Sequence, residues 1–95
     1  MINSKQRAAL KAMANAIEPV IFVGKAGVTD NVVIQADEAL AARELIKGTV
    51  QQNAPVDAQE AMKIIAQRTE AEAVSSYGRK FVLFRQRIED PGIKI

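Results

Sequence analysis

The spacing of apolar positions changes several times along the chain, and each change marks an element. Over residues 3–16, Leu10, Met13 and Ala14, continued by Ile17, recur at three- and four-residue intervals, the period of one helical face. Asn3, with Gln6 three residues on, supplies a capping box, and Glu18-Pro19 stops the helix because the residue before proline disfavours helical geometry. Val20-Ile21-Phe22-Val23 is then continuously apolar, as expected of a short strand covered on both faces. A helical pattern returns over 30–42, with Thr29 as cap, Val28 and Val33 as a hydrophobic staple, and Val33, Ala36 and Leu40 on the buried side. Residues 45–51 read as a strand, with Ile46, Gly48 and Val50 on one face and Leu45, Lys47 and Thr49 on the other. Asp57, followed by Glu60, opens a third helix to about residue 68, with Met62, Ile65 and Ala66 on its core side. Ala73-Val74-Ser75-Ser76 predicts a short strand, Tyr77-Gly78-Arg79 a tight turn, and residues 80–87 the strongest strand. Asp90-Pro91-Gly92 breaks regular structure, so residues 89–95 are expected to form a loose tail.

The order α-β-α-β-α-β-β predicts an α/β fold, a two-layer sandwich with a mixed four-stranded sheet. Strands alternating with helices pair in parallel through right-handed crossovers, and the last two strands close as an antiparallel hairpin. One domain is expected over residues 1–88, followed by the short tail.

Composition removes several classes of chemistry. The 95 residues contain no cysteine and no histidine, so disulfides, thiolate nucleophiles, the usual zinc sites and a Ser-His-Asp triad are absent. The adjacent acid pairs, Asp37-Glu38 on a helix and Glu89-Asp90 in the tail, are not held facing one target, and the acids read as a solvated surface. No enzyme, cofactor, metal or small-molecule substrate is expected. No run reaches the roughly 18 apolar residues of a membrane span, and the N-terminus lacks the design of a signal peptide, so a cytoplasmic protein without a membrane partner is expected. The net charge of +2 permits a polyanionic partner without demonstrating one.

The candidate chemistry centres on Gly24-Lys25-Ala26-Gly27, between the end of a strand and the cap of a helix. Such a loop offers backbone N–H groups, the positive end of a helix dipole and a cation together, which suits phosphate. A GxxG loop can clamp a nucleic-acid backbone, and the same pattern also serves as a plain strand-to-helix turn. It is neither a Walker loop nor a dinucleotide fingerprint. Lys5, Arg7 and Lys11 put three cations and no acid on the first helix, and Arg79 sits at the hairpin tip beside Lys80. Tyr77 is the exposed candidate for stacking on a base, whereas Phe22, Phe81 and Phe84, lying in strands, read as core.

These features occur in a specific order. The stretch from Lys5 to Leu10 precedes Pro19-Val20 and Gly24-Lys25-Ala26-Gly27-Val28-Thr29; Ala39-Leu40 and Glu44-Leu45-Ile46-Lys47 follow, and Gly78-Arg79-Lys80-Phe81-Val82-Leu83-Phe84-Arg85 closes the series. Over about residues 3–87 the chain resembles the YhbY family of small bacterial proteins, the free-standing form of the CRM domain (chloroplast RNA splicing and ribosome maturation). The resemblance implies a fold similar to the C-terminal domain of translation initiation factor three and non-catalytic RNA binding. It also implies a role with ribosomal RNA in precursors of the large ribosomal subunit. By the same likeness Gly24, Lys25, Ala26 and Gly27 match the RNA-contacting loop, Lys47 the lysine of the ELIK motif, and Arg85 the arginine of the closing motif. An RNA chaperone for another structured RNA and a protein-docking adaptor are the alternatives. The chain departs from the family pattern at Glu70, where glycine is common, and at Gly48, where a β-branched residue is usual and a weaker strand is expected. Phe84 replaces a frequent tyrosine, and the basic tail of some members is reduced to Lys94.

Overall fold

The structure, a computed structural model, describes residues 2–93. Its elements are α1 (Ser4–Ala14), β1 (Pro19–Val23), α2 (Asp30–Arg43), β2 (Leu45–Val50), α3 (Ala58–Thr69), β3 (Glu72–Tyr77) and β4 (Lys80–Phe84). The α/β class and the mixed four-stranded sheet are as the pattern predicts. The strand order is β1-β2-β4-β3: β1 and β2 are parallel, and β4 runs antiparallel to both β2 and β3. The crossover through α3 leaves a gap between β2 and β3, and β4 fills it by turning back at the hairpin. One end of the sheet therefore gathers the C-terminal ends of β1, β2 and β3, the start of β4, and the N-termini of α2 and α3.

The helix starts follow from their caps. Asn3 and Gln6 form a reciprocal capping box on α1, Asp57 and Glu60 form another on α3, and the Thr29 hydroxyl accepts the Val32 N–H at α2. α2 and α3 cover one face of the sheet, burying Ala36, Leu40, Ala61 and Ile65 against Ile21, Val23, Ile46, Phe81 and Leu83. These two helices and the sheet make the sandwich. α1 lies on the opposite face as a partial extra layer, where Leu10 and Ala14 pack on Leu45, Val74, Val82 and Phe84. Met13, expected on the buried stripe of α1, is exposed, because Leu10 and Ala14 alone fill the narrow contact.

Gly48 does not open a void. It stands directly across from Phe81 in the ladder, and the ring lies so close that a Cβ would sit far inside van der Waals contact with Cζ. The expected weakening of β2 is offset by a buried aromatic that uses the missing side chain as its seat. The continuous apolar run of β1 also differs from expectation. β1 is an edge strand, α1 lies over the other three strands, and Phe22 is 54% exposed.

β4 ends at Phe84, before the expected boundary, because the chain then turns to meet Glu44. Glu44 is 1% exposed, and its carboxylate accepts the N–H groups of Arg87 at 2.7 Å, Gly92 at 2.7 Å and Ile93 at 2.9 Å. The Arg87 N–H foremost, then those of Gly92 and Ile93 and the Arg87 charge, hold its pKa below the ordinary carboxylate value against the opposing effect of burial. The tail expected to be loose is thus fastened as far as Ile93; Lys94 lies outside the described residues. No helix among the described residues is long and apolar enough to cross a membrane.

Candidate nucleic-acid interface

The glycine loop is built as a tight turn: the Gly27 N–H donates to the Gly24 carbonyl at 2.9 Å, and Thr29 N–H to the Gly27 carbonyl at 3.1 Å. Gly27 has a φ of 76°, in the left-handed region, and a Cβ there would press on Pro55. Lys25 and Ala26 project at the tip and are exposed. Among the described residues, no protein acceptor takes the N–H of Lys25, Ala26 or Val28. Unpaired backbone donors, a lysine and the N-terminus of α2 thus face solvent together, an arrangement suited to an anion.

The hairpin tip lies at the same end of the sheet. The Val50 N–H donates to the Arg79 carbonyl at 2.7 Å, and the Gln51 N–H to the Val23 carbonyl at 2.8 Å. These bonds place the β3–β4 turn and the loop after β1 on either side of the end of β2. Arg79 and Lys80 are exposed there. On the α1 side of the sheet, Lys11, Lys47 and Lys80 line one cleft together with Asn15, Ser75 and Tyr77, and no carboxylate joins them.

The expected contact residues therefore divide. Gly24, Lys25, Ala26, Gly27 and Arg79 share the loop end, while Lys11 and Lys47 share the neighbouring cleft. Lys5 is exposed on α1, about 9 Å along the axis from Lys11 and away from the loop. Arg7 and Arg85 do not stand free as expected. The Arg7 guanidinium donates to the carbonyls of Ala73 at 2.5 Å and Val74 at 2.7 Å, tying α1 to β3. Arg85 donates to the Asp37 carboxylate at 2.6 Å, the Thr69 carbonyl at 2.8 Å and the Asp37 carbonyl at 3.1 Å, tying the middle of α2 to the last residue of α3. Arg85 thus engages both terminal nitrogens in the scaffold, and Arg7 engages Nη1.

Two exposed residues join the site that the sequence reading left out of it. Lys80 opens β4 on the same face as Val82 and Phe84, and its spacing in the alternating strand was the available signal. Phe22 lay hidden in a run without alternation, where periodicity cannot separate a covered face from an open one.

The model of the CRS1/YhbY (CRM) domain matches residues 2–85. The chain is similar to the Probable RNA-binding protein YqeI of Bacillus subtilis, at 35% identity over all of this chain and 99% of the relative. It is similar to the Probable RNA-binding protein MJ0652 of Methanocaldococcus jannaschii, at 36% identity over 90% of this chain and 65% of the relative. An RNA-binding protein of Haemophilus influenzae is 32% identical, over 88% of this chain and 85% of its own length. The fold matches the solution structure of SAV1595 from Staphylococcus aureus, described as a candidate RNA-binding protein, with a TM-score of 0.84 and 34% identity over 100% of this chain and 99% of that one.

Proposed function

The chain belongs to the CRS1/YhbY (CRM) domain family, and from that premise we propose that it is a non-catalytic RNA-binding protein that grips RNA at the loop end of its sheet. The observation that carries this reading is the loop itself: Lys25 and unpaired backbone N–H groups at the start of α2, with Arg79 and Lys80 nearby. The loop N–H groups and Lys25 hold phosphate oxygens; Arg79, Lys80 and Lys11 add charge without reading sequence. Arg7 and Arg85 hold the scaffold in this reading. Binding needs no step of bond making. The RNA proposed is ribosomal RNA in precursors of the large subunit, a role supported by the family resemblance.

Sucrose-gradient fractionation of native lysate tests both parts. Wild type migrates with free or immature large subunits, Lys25→Glu stays at the top, and Lys63→Glu, a reversal on the outer side of α3, migrates as wild type. Equal behaviour of the two variants would remove the loop from the reading. Wild type remaining at the top even at low salt would remove the ribosomal particle.

A further inference from the structure

The exposed part of the α1 side of the sheet carries a row of side chains that runs across all four strands. Phe22 pairs with Thr49, Thr49 with Lys80, and Lys80 with Tyr77. Residues paired in a ladder point to the same face, so the row is continuous, with an aromatic ring at each edge and a lysine between. Phe22 is 54% exposed and Tyr77 87% exposed, although aromatic side chains ordinarily seek cover. α1 covers the part of this face away from the loop and stops short of the row.

We propose that this row is a stacking platform for the unpaired bases of single-stranded RNA, entered from the phosphate-gripping loop. The proposal rests on the RNA-binding reading and deepens it, because it assigns a base-contacting surface where the loop supplies only a backbone contact. Three observations favour RNA over a protein partner. The adjoining cleft is lined by Lys11, Lys47 and Lys80 with no carboxylate, which matches a polyanion. Phe22 lies two residues before Gly24, so a strand held at the loop continues directly onto the ring. Two flat rings flanking cationic positions are how sequence-tolerant single-strand sites are built. The rings sit three strand spacings apart, about 14 Å, so each takes its own base and neither could be served by a continuous duplex stack. The chemistry selected is therefore a loop, bulge or tail, not a helix.

Anisotropy titrations of a fluorescent single-stranded 12-nucleotide RNA, and of the same RNA annealed to its complement, test the platform. Phe22→Leu keeps apolar bulk and removes the ring, while Tyr77→Ala removes the second ring; both positions are exposed, and melting curves confirm folding. Each variant is expected to bind the single strand about five- to a hundredfold more weakly and the duplex unchanged, with Tyr77→Phe restoring wild-type affinity. Quenching of the fluorescence of Tyr77, the sole tyrosine in a chain without tryptophan, is expected on binding of unlabelled single strand. If Lys25→Glu abolishes binding while both aromatic variants bind as wild type, the platform is overturned and the RNA reading stands. If wild type binds neither RNA at low salt, both fall. A wild-type dimer that Phe22→Leu dissociates without changing RNA affinity would also overturn the platform and assign the face to a second copy.

Discussion

Among the described residues, three non-glycine residues have positive φ, and two of them differ instructively. Glu70 ends α3 at φ 58° and ψ 36°, a left-handed position that glycine occupies without strain. Its carboxylate makes no hydrogen bond among the described residues, so nothing at the side chain offsets the backbone cost. Glu44 sits at φ 66°, but its carboxylate anchors three backbone N–H groups. The same substitution should thus have opposite signs at the two sites. Glu70→Gly is expected to stabilise the protein by about 1 kcal/mol, equivalent to roughly 4–8 °C in Tm for a domain of this size. Glu44→Gly is expected to lower Tm, since it relieves strain but leaves buried donors unpaired. Thermal unfolding of both variants checks this, and a rise at both positions would show that the Glu44 clasp contributes nothing.

At the scale of elements, the same residue makes the C-terminal segment depend on acid. The folded pKa of Glu44 is lowered from 4.5, so its contribution is fully present above the unfolded value and is lost as pH falls through the folded one. Protection factors, the exchange rates corrected for their intrinsic slowing in acid, should fall at the Arg87, Gly92 and Ile93 amides as pH drops through the lowered folded pKa of Glu44, below 4.5, before the strands open, whereas Glu44→Gln should lower protection at these amides at neutral pH as well. Protection that persists through acid until global unfolding would rule out the carboxylate as the clasp. This segment also shows where the sequence stopped being legible. Elements with strong local signals were read correctly: the boxes Asn3/Gln6 and Asp57/Glu60, the cap Thr29, and the alternation of Ile46, Gly48 and Val50. What failed depended on partners distant in sequence. Glu44 looked like one of many surface acids, since its three donors lie more than forty positions away. Arg7 and Arg85 looked like free cations because their carbonyl acceptors are set by tertiary packing. Phe22 read as covered because the edge position of β1 follows from strand order, which the pattern does not determine.

For the whole molecule, a net charge of only +2 means that attraction to RNA must come from arrangement, not excess. Lys25, Arg79, Lys80, Lys11 and Lys47 occupy the loop end and the adjoining cleft, while Arg7 and Arg85 are engaged by the scaffold. If these five cations each neutralise a phosphate, log Kobs for single-stranded RNA should fall against log salt with a slope of about −3.5. Ring stacking releases no counterion, so charge and aromatic contributions separate in one experiment. Lys11→Ala should make the slope shallower by about 0.7, with its line meeting that of wild type toward 1 M salt. Phe22→Leu should leave the slope unchanged and displace the whole line to weaker binding, because a lost stack costs the same at every ionic strength. Titrations between 50 and 200 mM KCl, at roughly the range where phosphate-dominated binding changes most, are sufficient. A slope near zero would mean that the cationic end does not meet a polyanion. A Phe22→Leu line that differs in slope would mean that the ring acts by positioning a lysine and not by stacking on a base.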